Sequence, residues 1–160
     1  MPSEKVSGAD NQQERLKFIG WIVGFVDGEG CFTVSFFKHP KSRLRLKWQV
    51  FPEFVITQGM KSQKALENIK KFLGCGEIYL NKRYGNHHEH LLKYVVRNRE
   101  ELLNRIIPFF EKNPLQSEKR NDFKVFAKIV RMMGKKKHLK ENGLKRIRLM
   151  VRTMNNRKFR

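Results

Sequence analysis

The chain has 160 residues, enough for one domain with a core of its own. Its 35 lysines and arginines against 15 acidic residues leave a net charge of +20, which selects a polyanionic partner, nucleic acid first. No apolar run approaches the ~20 residues of a membrane span, and the polar start, residues 1–14, lacks a secretory core, so an intracellular, membrane-free protein is expected.

Residues 1–12 read as a disordered N-terminus, residues 13–133 as the main domain and residues 134–160 as a basic helical tail. A helix from about Gln13 carries the apolar run Trp21-Ile-Val-Gly-Phe-Val26 and stops at Asp27-Gly28-Glu29-Gly30. Residues 31–37 are β-branched and aromatic, as strands are. A turn over residues 39–42 leads to a long expected strand, residues 43–57, in which Pro52 requires an edge or a bulge. Ser62 can cap a second helix with Leu66, Ile69 and Leu73 on one face, ended by Gly74-Cys75-Gly76. Strands follow at residues 77–81 and 91–97, joined by a polar loop. Asn98 with Glu101 reads as a capping box that opens a short helix to Ile107, with Phe109 and Phe110 plugging the core after Pro108. The next helix, residues 117–133, presents Phe123, Phe126, Val130 and Met133 on one face. Beyond it, eleven Lys and Arg stand against Glu141 alone, while Leu144, Ile147, Val151 and Met154 keep helical spacing. Two cysteines, Cys31 and Cys75, make neither a disulfide framework nor a zinc site.

Residues 21–30 carry the chemistry. An apolar helix ending in two carboxylates places them at the unfavourable end of its dipole, at a cost of about 0.3–1 kcal/mol. A bound divalent cation would offset that cost. Gly20 and Gly24, one turn apart, let a second backbone approach closely.

This ordered combination resembles the signature of the LAGLIDADG homing endonucleases, in the single-motif, intron-encoded branch. The resemblance implies an α+β, αββαββα fold with an antiparallel DNA-binding sheet; the basic C-terminal helical extension lies outside it. It also implies that Glu29 is the metal carboxylate, in place of the Asp often found there, and that Gly28 lends a backbone carbonyl. Gln58 and Lys119 take the family's polar and lysine positions around the nucleophilic water, with Arg120 a neighbouring candidate. Asp27 is the second-choice ligand, against a structural role at the helix end. Mg2+ is the implied cofactor, with Mn2+ or Ca2+ substituting in binding and Ca2+ not supporting cleavage.

Only one copy of the signature is present, and cutting both strands needs two acidic sites. A homodimer packed through Gly20, Trp21, Val23 and Gly24 is therefore expected, on a long pseudo-palindromic duplex, leaving staggered 3' overhangs. Alternation along strands can aim one face at the major groove. Thr33 and Ser35, then Arg45, Lys47 and Gln49, then Glu77, Tyr79 and Asn81, with Lys93, are the candidate DNA contacts, and Lys61 a candidate phosphate contact. His87, His88 and His90 read as a loop on the DNA rim, not a metal site. The alternative function is an intron RNA maturase, binding RNA without cleavage. A ribosomal or architectural protein would explain the charge but not the acids.

Overall fold

The computed structural model describes residues 8–85 and 89–155. Helix α1 (Gly8–Glu29) passes without a loop into strand β1 (Gly30–Lys38), and β2 (Trp48–Gly59) returns beside it. Helix α2 (Gln63–Leu73), strands β3 (Glu77–Asn81) and β4 (Leu91–Val96), and a helical stretch formed by α3 (Arg99–Glu101), a π turn (Leu102–Ile106) and α4 (Ile107–Lys112) follow. Helices α5 (Lys119–Gly134) and α6 (Glu141–Val151) complete the described chain. The strands form one antiparallel sheet in the order β1-β2-β4-β3.

Strand alternation sorts the sheet into two faces. Phe32, Val34, Val50, Phe54, Ile56, Leu92, Tyr94 and Val96 point to the helices and join the core. Phe32 is its hub, with ring centroids of Phe54, Phe110, Phe123 and Phe126 within 5.0–5.7 Å. Tyr94 is fully buried, and its hydroxyl donates to the Cys75 carbonyl at 2.9 Å; desolvation, with Cys75 beside it, raises its pKa far above the usual phenol range. Pro52 pairs with Val34 in unbroken register, and β4 joins β2 only from Phe54 onward, so the proline occupies an edge stretch, as its missing donor requires.

Several boundaries differ from the sequence reading. Helix α1 starts at Gly8, so residues 8–12 are helical; residues 1–7 lie outside the described chain. Ser62 precedes α2 at the end of a 3-10 turn and makes no side-chain cap. Asn98 does cap α3, accepting from the Glu100 and Glu101 amides, but Glu101 accepts from the Gly76 amide instead of closing a capping box. The helix does not stop at Ile107. The π turn widens the backbone just ahead of Pro108, which absorbs the ring and the missing N–H, and the helix runs on to Lys112.

The expected strand over residues 43–57 begins only at Trp48. Residues 39–47 form a closed loop, with the His39 amide donating to the Lys47 carbonyl (2.8 Å), Lys47 in a left-handed conformation (φ 58°), and its ammonium donating to the Ser42 carbonyl (2.6 Å). The basic tail is not an appendage. Leu144, Ile147 and Met154 are buried in the same core as Phe32, and the Asn155 side chain donates to the Phe32 carbonyl at 3.0 Å. Arg148 lies over the Trp48 ring at 4.0 Å, which anchors α6 beside the start of β2. Residues 156–160 lie outside the described chain.

Candidate functional site

The C-terminal end of α1 meets the entry of α5 through one carboxylate. Asp27 accepts from the Gln116 amide (2.7 Å), the Ser117 amide (3.1 Å) and the Ser117 hydroxyl (2.6 Å). Burial works to raise its pKa, yet these three bonds and the Lys119 charge outweigh it and hold the carboxyl below its ordinary value. Asp27 thereby joins α1 to α5, the structural role at the helix end.

Lys119, at the first turn of α5, sends its ammonium back to the same helix end. It donates to the carbonyls of Val26 and Asp27, at 2.9 Å each. Those carbonyls belong to the last turn of α1 and carry the negative end of its dipole. Glu29 is one turn further and exposed, and its carboxylate has no hydrogen-bond or ion-pair partner among the described residues. Gly28 is open too: a Cβ there would meet nothing within 4 Å. Gly30 is the opposite case. A Cβ on it would stand 2.6 Å from Val26 Cγ1 and 2.9 Å from the Val26 carbonyl oxygen, so only glycine lets the chain turn from helix into strand here.

Gln58 joins this corner through sheet register. Gly30 lies opposite Ile56, so Gln58 extends β2 two residues past the start of β1, level with the end of α1. It is half-buried and shares the helix-side parity of Phe54 and Ile56. Glu29, Gly28, Lys119 and Gln58 thus gather at one corner. Among the described residues no three His, Cys, Asp or Glu side chains cluster as a metal site.

The other face of the sheet begins at the same corner. Register places Thr33 opposite Glu53, Thr57 opposite Lys93 and Tyr79 opposite Lys93. Thr33, Ser35, Gln49, Glu77, Tyr79, Asn81 and Lys93 all fall on this open face. Its centre is apolar, with Val55 facing Val95. Glu77 is already paired with Lys70 of α2 at 2.9 Å. Arg45 and Lys47 are not on the face, because the strand does not reach them. Lys61 lies just past β2, its amide held by Glu89 and its side chain exposed. His90 accepts from the Arg83 amide at 3.0 Å, whereas His87 and His88 lie outside the described residues.

Three polar open-face groups escaped the sequence reading. Glu53 and Thr57 continue the alternation of Gln49, and Arg97 continues that of Lys93; Arg97 pairs with Glu53 and lies over the Tyr79 ring at 5.6 Å. All three were recoverable from the period of two.

Along α1, Gly20 and Gly24 are exposed and a Cβ on either would meet nothing within 4 Å, while Leu16, one turn earlier, is 60% exposed. Trp21 is 39% exposed and stacks between Phe18 and Phe25. Val23, expected on this face, is instead buried in the chain's own core, because it sits on the other side of the helix.

Comparison with known proteins matches residues 22–130 to the LAGLIDADG endonuclease family model. The probable intron-encoded endonuclease Cox1-I1b of Schizosaccharomyces pombe is 32% identical over 120 residues, 75% of this chain but 29% of that protein. The crystal structure of the homing endonuclease I-TnaI superposes with a TM-score of 0.75 at 36% identity, covering 86% of this chain and 87% of that one. I-SmaMI, bound to an uncleaved DNA target in the presence of calcium ions, gives 0.74 at 35% identity, over 84% of this chain and 44% of that one. No helix of the described residues is long and apolar enough to cross a membrane.

Proposed function

The chain belongs to the LAGLIDADG endonuclease family, and on that premise we propose that it is a site-specific, metal-dependent DNA endonuclease acting as a homodimer on a long pseudo-palindromic duplex. The observation that carries this reading is the corner where α1 ends. The exposed Glu29 carboxylate, exposed Gly28 and the Lys119 ammonium lie at that helix end, and Gln58 extends β2 level with it, at the rim of a polar sheet face.

The residues fit a hard divalent cation. One carboxylate (Glu29) and one carbonyl (Gly28) leave room for water and substrate phosphate, the ligand set that suits Mg2+. Mn2+ or Ca2+ would use the same oxygens. The I-SmaMI complex with calcium and uncleaved DNA supports binding without cleavage by Ca2+. When bound, the metal would supply a polarised phosphate and a water of lowered pKa.

The chain's own groups do the rest. Lys119 holds a positive charge beside the position where phosphate charge develops, braced by two carbonyls so that it need not reorganise. The Gln58 amide can both donate to and accept from the attacking water, which orients it. On the sheet, Gln49 and Asn81 suit adenine, Glu77 cytosine once released from Lys70, and Thr33, Ser35, Tyr79 and Lys93 either bases or phosphates. Arg45 and Lys61 reach the duplex from beyond the strand ends. Lys47 and Val23 are withdrawn from these roles, since one ammonium is spent within its loop and the other side chain is in the core.

Two strands need two such corners, and the open stripe Leu16, Gly20, Gly24 and Gly28 offers a second α1 a close approach. Apposed α1 helices would set two Glu29 carboxylates side by side, a geometry for staggered cuts with 3' overhangs. The I-SmaMI chain, of which this chain spans 44%, is long enough for two such units.

The test is cleavage of a plasmid library carrying randomised pseudo-palindromic inserts, with magnesium or EDTA, for the native chain and Glu29→Gln. Magnesium-dependent linearisation at one sequence class, lost in Glu29→Gln, supports the reading. No cleavage, with salt-sensitive binding to structured RNA, would replace it with the maturase function.

A further inference from the structure

The sheet is four strands wide only in part. Strand β4 joins β2 from Phe54 onward, so residues 48–53 pair with β1 alone, as a two-stranded ribbon. On the open face of this ribbon β1 presents Thr33, Ser35 and Phe37, and β2 presents Gln49, Phe51 and Glu53. Phe37 is 58% exposed and Phe51 40%. Ser35 stands opposite Phe51 and Gln49 opposite Phe37, so the two rings meet on the diagonal. Their centroids are 5.4 Å apart with planes at 76°, edge to face. On the helix side of the same strands Arg148 of α6 lies over Phe36 and Trp48, whereas Phe37 and Phe51 turn away from the helices.

The surroundings of the pair define what can cover it. Ser35 and Gln49 bound the rings along the face, so the apolar spot is no wider than the two side chains. At the free edge of β2 a cavity of about 400 Å³ opens beside Gln49 and Phe51, and Arg99 and Lys136 also line it. Neither of these cations has a carboxylate partner among the described residues. An apolar protein surface would leave Ser35 and Gln49 without hydrogen bonds and bury the cations unpaired. A DNA duplex answers each group. Its phosphates suit the edge cations, and its base edges suit Ser35 and Gln49. Its major groove admits a two-stranded ribbon and holds one kind of apolar group, the 5-methyl of thymine.

Resting on the reading of the chain as a DNA endonuclease, we propose that Phe37 and Phe51 are specificity-determining residues that read thymine methyl groups in the outer part of each half-site. Strand rise locates them. Phe51 is level with Ser35, five residues past Gly30, and Phe37 is seven past it. At about 3.4 Å per residue they lie ~17 and ~24 Å from the α1 corner. At about 3.4 Å per base pair this is roughly five to seven pairs outward. Polar residues of the face choose bases by hydrogen bonds, while this pair chooses by a methyl group alone.

The test is selection of duplexes by the full chain from a randomised pseudo-palindromic library, with calcium in place of magnesium and binding as the readout. Thymine should be enriched symmetrically about five to seven pairs out from the central pairs. Replacing one such thymine by deoxyuridine removes the methyl and keeps the pairing. It should weaken binding by the native chain about 4-fold, the contribution of one buried methyl group. With Phe37→Ala and Phe51→Ala together, the same replacement should cost less than about 1.5-fold. Both rings lie outside the core, and a thermal melt checks that the variant is folded. A selected site without thymine there, or a deoxyuridine loss that persists in the double variant, overturns the assignment and leaves sequence-specific duplex binding standing. A chain that selects no duplex sequence overturns it together with the endonuclease reading.

Discussion

Replacing Asp27 by asparagine tests whether one carboxylate joins the motif helix to α5. Asn keeps one oxygen, and turning it to Ser117 preserves the two bonds that Ser117 makes to the same Asp27 oxygen, from its amide and its hydroxyl. The new NH2 then faces the Gln116 amide, which donated to the other oxygen at 2.7 Å. One charge-assisted bond is lost outright, two are weakened, and a half-buried donor is left facing a donor. The expected loss is about 1.5–3 kcal/mol. For a chain of this size that is roughly 3–12 °C in Tm. Urea unfolding at neutral pH measures it directly. The pH dependence adds a second check. The folded Asp27 carboxyl lies below its ordinary value of 3.8, so its contribution is fully present above that value and drains as pH falls through the folded pKa. The gap between native chain and Asp27→Asn should therefore narrow as pH drops below about 4. Equal stability at neutral pH, or a gap that stays constant into acid, would refute the reasoning.

Lys119→Met should lower single-turnover cleavage about 100-fold or more while target affinity, by gel shift, changes less than 3-fold. Gly24→Leu should separate assembly from folding. The position is open in the single chain, so helix propensity gains up to about 1 kcal/mol and Tm rises, while sedimentation shows the dimer lost. A persisting dimer would remove α1 from the interface. Ile147→Ala, at a fully buried position of α6, should cost about 2–5 kcal/mol by urea unfolding. Ending the chain after Gly134 should leave it unfolded by circular dichroism, because Leu144, Ile147 and Met154 leave the core together. A truncated chain with native thermal stability would return residues 135–160 to the status of a tail.

What the sequence by itself determined is whatever local period and composition encode. The apolar run ending in Asp27-Gly28-Glu29-Gly30 specifies a helix that stops at an exposed acid. The period of two aligned Thr33, Ser35, Gln49, Tyr79, Asn81 and Lys93 on one face before any register was known, because parity survives small errors in strand length. The same rule failed at Arg45 and Lys47, where alternating residues lie in a loop: alternation is equally compatible with a turn, and the left-handed Lys47 carries no glycine to announce it.

Only the tertiary structure decided the partners. Lys119 reaches carbonyls 92 and 93 residues away, and Asp27 is spent on amides 89 and 90 residues along, so neither role has a local signal. Val23 and Gly24 are neighbours in sequence, yet one faces the core and the other solvent, because where the helix lies on the sheet sets which arc is covered. The basic residues of α6 concealed that its apolar stripe closes the core over β1 and α5. Charge is read from composition, but burial depends on what the rest of the chain brings to meet it.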